Sequence, residues 1–310
     1  MPKPYYFPES FLKTNLEQRN AAATEWLKNL PSILDEAESR WSLTIGPPFP
    51  QLSYNYAAPA TRADGTTVVV KAGVPNKEFR TEAEALQIYG GDGAVRILDF
   101  DLSMGVMLLE YLRPGKMLVD LEDDVEATSI AASVMKRLWH APPPEHSFPT
   151  VFDWVGGFSR LRDCFGGGTG PFPRALVEEA ERLFADLLAS MGEQVVLHGD
   201  LHHFNILSAE REPWLVIDPQ GVIGEAEYET GALLRNPMPE LFLWPGLEKL
   251  LARRIDQLAE ELGFDRERIR GWAVAQAVLS VWWYFDETCD SPASVWKGGV
   301  EFAETLARVH

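Results

Sequence analysis

The periodicity of the apolar residues changes from that of strands to that of helices about one third of the way along the 310-residue chain. Strand-like runs precede the segment LLEYLRPGK, and amphipathic helical patterns fill most of the sequence after it. Strands followed by helices are typical of an α+β protein. We therefore predict two units, residues 1–112 with an antiparallel sheet and residues 113–310 with mainly helices. A cleft between two such lobes is a common place for a small-molecule site.

Five strands and one clear helix are predicted in the first unit. The runs WSLTI, LSYNYAAPA and TTVVVKA indicate an antiparallel meander, and AVRILDFD and GVMLLEYL add two further strands. The intervening segment NKEFRTEAEALQIYGG places Phe79, Glu82, Leu86 and Tyr89 at helical spacing, so these side chains share one face. The third strand carries Lys71 near its end.

Helices are expected at the N-terminus and throughout the second unit. The stretch from Ala21 to Trp41 has helical spacing, and we expect Pro31 to interrupt it. From Pro114 to Leu118 onward the pattern is helical, apart from the strand-like segments on either side of residues 198–205.

The charge of the chain excludes some classes of partner. Its formal net charge is −18, so a nucleic acid or an anionic membrane surface is not expected, whereas a cationic small molecule is compatible.

The longest apolar stretch, Trp272 to Phe285, is too short to span a bilayer and indicates a buried helix. Two cysteines, Cys164 and Cys289, form no disulfide framework and suit a reducing compartment. The first residues lack the pattern of a signal peptide, so we expect a cytoplasmic protein.

The segment HGDLHHFN, residues 198–205, crowds three histidines, an aspartate and an asparagine between two apolar runs. Such a cluster can simply close a turn through side-chain bonds to the backbone. It can also bind a metal in a hydrolase, with His198, Asp200, His202 and His203 as ligands. That interpretation leaves Asn205 without a role and requires further histidines, although the chain has only six in all.

Phosphoryl transfer is the third interpretation of this segment, and it uses more of the polar residues. Asp200 would orient the acceptor hydroxyl, and a hairpin would return the chain from Asn205 to Asp218 in the segment IDPQG. One amide oxygen and one carboxylate suit Mg²⁺. The same chemistry needs an upstream lysine paired with a helical glutamate, and Lys71 and Glu82 satisfy that requirement.

The motifs VVVK, EAEAL, HGDLHHFN and IDPQG together resemble those of the aminoglycoside phosphotransferase family. Two longer segments, REPWLVIDPQGVIGEAEYETGALLRNP and RIRGWAVAQAVLSVWW, are similar to its branch of streptomycin 6-kinases and hydroxyurea phosphotransferases. The resemblance runs from about Pro50 to about Phe285. It implies a two-lobed protein-kinase-like fold with a small sheet-containing lobe and a larger helical lobe. It also implies an ATP- and Mg²⁺-dependent kinase that acts on a hydroxyl of an aminoglycoside or of hydroxyurea and gives antibiotic resistance.

The resemblance assigns expected roles to the matching positions. Lys71 contacts the α- and β-phosphates and pairs with Glu82, Asp200 orients the acceptor hydroxyl and accepts its proton, and Asn205 and Asp218 hold Mg²⁺.

Three further positions are expected to contact the nucleotide, and His198 is expected to support the catalytic loop. Backbone groups near Glu110 and Leu112 would bind adenine. The loop PQLSYNYAAPA has no glycine, unlike the phosphate loop of protein kinases, so its backbone amides or the hydroxyl of Ser53 would have to reach a phosphate. This departure keeps a second possibility open, a nucleotide-binding pseudokinase without turnover.

The acceptor site is expected in the helical unit. Carboxylates around it would attract a cationic acceptor, and the candidates are Glu225, Glu227, Glu229, Asp286, Glu287 and Asp290. Trp282 and Trp283 either stack on a sugar or pack within the protein. The sequence does not name the acceptor, and a kinase of an unrelated small metabolite is an alternative.

Overall fold

The computed structural model describes residues 5–17, 21–285, 289 and 291–309. The chain divides into two compact units, Met1–Arg113 and Pro114–His310. The functional roles that the sequence predicts for these units stay predictions.

The first unit contains the predicted five-stranded antiparallel sheet, as far as the chain is described. Its strands follow the order β1-β2-β3-β5-β4. The strands are β1 (Leu43–Ile45), β2 (Tyr56–Arg62), β3 (Thr67–Ala72), β4 (Ile97–Asp101) and β5 (Val106–Glu110). The helices are α1 (Glu9–Glu17), α2 (Ala21–Trp41) and α3 (Lys77–Tyr89).

The N-terminal helices α1 and α2 belong to the hydrophobic core of the first unit. Their buried side chains, which include Phe11, Trp26, Leu30 and Leu34, pack in one cluster with apolar residues of β1, β2, β3 and β5. The predicted interruption of α2 at Pro31 is wrong, because the helix runs continuously through this residue. Tertiary packing of the turns on both sides of a proline can outweigh the hydrogen bond that the proline removes.

Helix α3 begins and ends with local signals that are visible in the sequence. The Asn76 side chain caps the start of the helix by accepting a hydrogen bond from the backbone N–H of Phe79 at 2.9 Å. Gly90 ends it with a φ of 58°, a left-handed conformation that glycine adopts without strain. The predicted apolar face is buried and includes Glu82.

The second unit is mainly helical and contains two small antiparallel sheets within its described residues. Its helices are α4 (Asp124–Leu138), α5 (Val151–Cys164), α6 (Arg174–Ala189), α7 (Thr230–Leu234), α8 (Leu247–Leu262), α9 (Arg266–Trp282) and α10 (Ala293–Ala307). Short 3₁₀ turns cover Leu118–Asp120, Ala226–Glu229 and Glu240–Leu243. The strands are β6 (Pro114–Met117), β7 (Gln194–Leu197), β8 (Ile206–Ala209), β9 (Trp214–Val216) and β10 (Val222–Glu225).

Two of these strands correct the helical prediction for the second unit. The segment PGKM forms β6, which pairs with β8 and leaves Gly115 at a φ of 72°, a value that no right-handed helix contains. Strand β10 pairs with β7 along its whole length. Both pairings join segments far apart in the chain, so periodicity within either segment does not reveal them.

Helix α9 is the central buried helix of the second unit. Most of its side chains are buried, among them Trp272, Val274, Gln276 and Leu279, as predicted for this apolar stretch. None of the helices in the described residues has the length and apolarity that crossing a membrane requires.

The two cysteines form a disulfide bond, which contradicts the expectation of unpaired thiols. Cys164 at the end of α5 is bonded to Cys289, and their Cα atoms are 5.6 Å apart. The two residues are 125 positions apart in the chain, so only the fold shows that they meet.

Candidate active site

The segment HGDLHHFN is a loop between two strands that are both held by neighbours. Strand β7 precedes it and pairs with β10, and strand β8 follows it and pairs with β9. Val196 and Leu197, at the end of β7, are fully buried, as is Ile206 at the start of β8. Both ends of the loop are therefore anchored in the core, and its polar residues occupy defined positions.

Asp200 lies between a cation and an imidazole. Its Oδ1 accepts a hydrogen bond from Nη2 of Arg235 at 3.0 Å, and its Oδ2 lies 3.5 Å from Nε2 of His202. Burial by itself would raise the pKa of the Asp200 carboxyl, but the hydrogen bond from His202 and the charges of His202, Arg235 and His198 outweigh burial and lower this pKa well below its usual range. Asp200 is therefore ionised at neutral pH.

Arg235 is the site residue that the sequence reasoning missed. Its Nη1 donates to Oε1 of Gln276 at 3.1 Å, and Gln276 in turn donates to the backbone carbonyl of Tyr228 at 2.5 Å. The Arg235 side chain is 9% exposed, and its guanidinium is held between α9 and Asp200. A signal existed in the segment GALLRNP, because an arginine directly after an apolar helical run needs a carboxylate partner when it is buried.

His198 is buried and contacts the backbone through both ring nitrogens. Its Nε2 lies 2.9 Å from the Ile217 carbonyl, and its Nδ1 accepts the backbone N–H of Asp200 at 3.3 Å, which assigns the proton to Nε2. Burial lowers the pKa of His198 to about 4, so the ring is neutral. Both ring nitrogens thus bind backbone groups of the loop and of the following segment, and the supporting role of His198 stays a prediction.

Glu229 is also part of the loop support, although we expected it at the acceptor site. Its carboxylate oxygens accept the backbone N–H groups of His198 at 2.7 Å and Gly199 at 2.9 Å. Burial raises the pKa of Glu229 to about 7, and these two backbone hydrogen bonds act in the opposite direction. The residue is 1% exposed, so the geometry gives no support to direct contact with an acceptor.

Asn205 and Asp218 are brought together by the predicted hairpin. Ile206 pairs with Val216, and the N–H of Ile217 donates to the Asn205 carbonyl at 3.0 Å. The Asn205 side chain uses its Nδ2 to bind the Asp200 carbonyl at 3.0 Å, and its Oδ1 takes part in no hydrogen bond among the described residues. Asp218 has a φ of 60°, a left-handed conformation that aspartate adopts more readily than most other residues.

The metallohydrolase interpretation has no support in the described residues. They contain no group of three or more His, Cys, Asp and Glu side chains that could hold a metal. Both ring nitrogens of His198 are engaged with backbone groups. His203 is buried, and its ring nitrogens form no hydrogen bond with any of the described residues.

Lys71 and Glu82 form a buried ion pair in the first unit. The Nζ of Lys71 lies 2.5 Å from Oε1 of Glu82, and the two residues are 3% and 6% exposed. Strand β3 places Lys71 opposite Ala57 and Met107, and α3 directs Glu82 towards it from the buried helix face. Burying two charges is costly unless each is satisfied, and here each side chain satisfies the other.

The other predicted nucleotide contacts also lie in the first unit. Ser53 is exposed in the loop between β1 and β2, where its carbonyl accepts a hydrogen bond from Asn15 at 3.2 Å. Glu110 ends β5 and binds Arg96 through both its backbone N–H and its carboxylate. Leu112 lies two residues further on and is half-buried, and its backbone forms no hydrogen bond with the described residues.

The expected acceptor carboxylates are only partly described. Asp286, Glu287 and Asp290 lie outside the described residues. Glu225 is 1% exposed, and its carboxylate accepts hydrogen bonds from Arg268, Trp272 and the N–H of Gly192. These hydrogen bonds hold the carboxylate inside the protein.

The two adjacent tryptophans at the end of α9 differ in exposure. Trp282 packs against Phe165 and Phe285 and is 7% exposed. Trp283 is 46% exposed and has Trp154 edge-on at 5.8 Å. Of the two, only Trp283 has the exposure that contact with a ligand requires.

Comparison with known proteins decides the family. The model of the aminoglycoside/hydroxyurea antibiotic resistance kinases matches residues 52–288. The chain belongs to this family. The streptomycin 6-kinase of Streptomyces glaucescens is 31% identical to this kinase over 91% of the chain and 90% of its own length. The hydroxyurea phosphotransferase of Kitasatospora aureofaciens is 30% identical over 96% of the chain and 85% of its own length.

Solved structures confirm the protein-kinase-like fold of this kinase. A thermostable mutant of aminoglycoside phosphotransferase APH(4)-Ia with ADP and hygromycin B has a TM-score of 0.62 and 14% identity, over 89% of this chain and 97% of its own. The choline kinase LicA of Streptococcus pneumoniae has a TM-score of 0.60 and 14% identity, over 90% and 99%. Membership in the family makes the protein a small-molecule kinase, and a kinase takes its phosphoryl group from a nucleotide.

Proposed function

We propose that this kinase transfers the γ-phosphoryl group of ATP, with Mg²⁺, to a hydroxyl of streptomycin or hydroxyurea and thereby gives resistance. The observation that carries the proposal is the arrangement of one loop. Asp200 is held ionised by Arg235, and the same loop leaves the Oδ1 of Asn205 available beside the segment that carries Asp218. Phosphoryl transfer requires such groups, namely one carboxylate that orients the acceptor hydroxyl and oxygen ligands that bind the metal.

Asp200 acts mainly by orientation. A carboxylate with a lowered pKa is a weak base, and the loose transition state of phosphoryl transfer demands little proton removal before the bond to phosphorus forms. The carboxylate accepts a hydrogen bond from the acceptor hydroxyl and points its oxygen at the phosphorus atom. It takes the proton late, as the new bond forms. Arg235 and His202 hold the carboxylate in place for this step.

The donor set beside this loop fits Mg²⁺ rather than a softer metal. One amide oxygen and one carboxylate are hard ligands, and Mg²⁺ in kinases is held by one or two protein groups together with phosphate oxygens. Asn205 and Asp218 would hold the ion. The ion would supply positive charge against the negative charge that develops during transfer.

Residues of the first unit bind the nucleotide in this proposal. Lys71, fixed by Glu82, contacts the α- and β-phosphates, and Ser53 reaches a phosphate from the loop before β2. The segment from Glu110 to Leu112 offers backbone groups to adenine. The adenine contact is supported by Leu112, because its backbone N–H and carbonyl form no hydrogen bond with the described residues.

The test is release of ADP from Mg-ATP with streptomycin and with hydroxyurea, each compared with the variant Asp200→Asn. We expect acceptor-dependent ADP release that falls by at least ~10²-fold in the variant, while Mg-ATP affinity is retained. Mg-ATP binding without ADP release for any acceptor would instead show a pseudokinase. ADP release by Asp200→Asn at the rate of the unchanged protein would remove Asp200 from its role.

A further inference from the structure

The glycine-free loop before β2 is attached to helix α1 by one buried side chain. Asn15 of α1 is 1% exposed, and its Nδ2 donates to the Ser53 carbonyl at 3.2 Å and to the Phe11 carbonyl at 3.1 Å. The bond to Phe11 is a local one, of the kind that an asparagine side chain makes to the backbone of its own helix. The bond to Ser53 joins two segments that are 38 positions apart in the chain.

The backbone of residues 50–54, the tip of this loop, makes one hydrogen bond to the described part of the chain, and Asn15 provides it. The neighbouring backbone bonds lie on either side of the tip: the N–H of Phe49 donates to the Ala57 carbonyl at 3.0 Å, and the ladder with β3 begins at Tyr56. The Leu52 side chain packs against the hydrophobic core of the first unit. The tip is thus attached to the unit through one apolar side chain and one hydrogen bond.

Packing alone does not explain an asparagine at position 15. Helix α1 has nine residues, and the apolar core that it joins contains Phe11 from the same helix. An asparagine in such surroundings is costly to bury unless its polar groups are bonded, and a leucine of similar size would suit an apolar core better. The polar side chain is therefore best explained by the bond that it makes to the loop.

The missing glycines give this bond a purpose. In protein kinases a glycine-rich loop covers the phosphates, and glycine adopts conformations that other residues reach only with strain. The N–H groups of residues 51–54 form no hydrogen bond with the described residues. Without glycines, these residues have to be held in a conformation that suits a phosphate, because they adapt to it less easily. A loop that is ordered in advance also loses less conformational freedom when a ligand binds.

We propose that Asn15 is a positioning residue for the nucleotide: it fixes the Ser53 carbonyl and keeps residues 50–54 in the conformation that meets a phosphate of ATP. The inference rests on the proposed function, and it adds α1 to the elements that bind ATP. The family match begins at residue 52, so α1 lies before the matched part of the chain. Because the loop acts on phosphates, loss of Asn15 should affect phosphates and leave adenine binding unchanged.

Replacing Asn15 with leucine tests this specificity. The variant removes both donated bonds and keeps the size of the side chain. We expect the Kd of Mg-ATP, measured by titration calorimetry, to rise ~5–10-fold, because fewer molecules would hold the loop in the competent conformation. Adenosine carries no phosphate, so its Kd should change by less than ~2-fold. Equal weakening of both ligands would show general damage to the first unit and would overturn the proposal.

The matched control is Asn29→Leu on helix α2. Asn29 makes the same kind of bond to its own helix, since its Nδ2 donates to the Glu25 carbonyl at 3.0 Å, and its second hydrogen bond goes to the Glu25 side chain. We expect the Kd of Mg-ATP in this variant to equal that of the unchanged protein. A rise as large as in Asn15→Leu would contradict the proposal.

The order of the loop is also measurable without nucleotide. Tyr54 is 57% exposed in the loop tip, and Phe152 of the second unit is 66% exposed and serves as an internal reference. In brief digestion with chymotrypsin, followed by mass spectrometry, cleavage after Tyr54 relative to cleavage after Phe152 should be ~5–10-fold faster in Asn15→Leu, because the open loop is more populated. Equal ratios in the variant and the unchanged protein would overturn the proposal.

None of these measurements needs an acceptor, so the proposed function and this inference fail in different ways. If the binding and cleavage changes appear but no acceptor is phosphorylated, only the proposed transfer is refuted. If Asn15→Leu binds Mg-ATP as the unchanged protein does, this inference is refuted and the proposed function stands. Where ADP is released, Asn15→Leu should raise the KM for Mg-ATP ~5–10-fold with kcat unchanged, and a fall in kcat without a rise in this KM would refute the role of Asn15.

Discussion

Replacing Arg235 with methionine tests whether this residue positions the catalytic carboxylate. The change removes the hydrogen bonds to Asp200 and Gln276 but keeps most of the apolar volume of the side chain. Because Arg235 is 9% exposed, the bond to Asp200 is poorly screened, and a hydrogen bond to a charged group of this kind contributes about 1.5–3 kcal/mol. We expect the free energy of unfolding to fall by about that amount.

The effect on turnover should exceed the effect on nucleotide binding. Without Arg235, the carboxylate of Asp200 can rotate away from the acceptor hydroxyl, so we expect kcat to fall by ~10–10²-fold, as for other losses of positioning. The affinity for Mg-ATP should change by less than ~2-fold. Steady-state ADP release gives kcat, and titration calorimetry gives the nucleotide affinity.

The matched control is Arg162→Met, which breaks another arginine–carboxylate pair in the same unit. Arg162 binds Glu181 at 2.7 Å, but the two side chains are 23% and 31% exposed, so its loss should lower the free energy of unfolding by only ~0–1 kcal/mol and leave kcat unchanged. Two results would refute the reasoning. One is a kcat for Arg235→Met equal to that of the unchanged protein, and the other is an equal loss of kcat in both variants.

Three further predictions concern the metal, the catalytic loop and the disulfide. Asp218→Ala should abolish Mg²⁺-dependent nucleotide binding, and an unaltered Mg-ATP affinity in calorimetry would count against this ligand. Glu229→Gln keeps the shape of the side chain, but an amide oxygen accepts hydrogen bonds from the two buried N–H groups more weakly than a carboxylate does. The free energy of unfolding, measured with urea, should therefore fall by about 1–3 kcal/mol. A decrease below ~0.5 kcal/mol would contradict the described contacts. Cys164→Ser opens a loop of 125 residues and should lower the free energy of unfolding, measured without reductant, by up to about 5 kcal/mol. Titration of two free thiols in the unreduced protein would argue against that bond.

The sequence by itself determined the features that depend on neighbouring residues. Apolar periodicity placed the strands of the first sheet and the buried helix α9, and Asn76 and Gly90 delimit α3. Helical spacing also put Glu82 on the buried face, where a carboxylate needs a cation, and Lys71 on the adjacent strand is that cation. The hairpin that joins Asn205 to Asp218 follows from two short strands and a turn. In each case the interacting groups are close in the chain, so their periodicity carries the information.

Only the tertiary structure decided what lies around Asp200. Arg235 reaches the carboxylate from 35 residues further along the chain, and Glu229 supports the loop from 30 residues away. The bond between Cys164 and Cys289 spans a still longer separation. Sequence alone suggested an acidic acceptor site, whereas folding buried the carboxylates of Glu225 and Glu229. Burial and long-range partners set the charge of a site, and both depend on which segments pack together, a property that no local pattern in the sequence encodes.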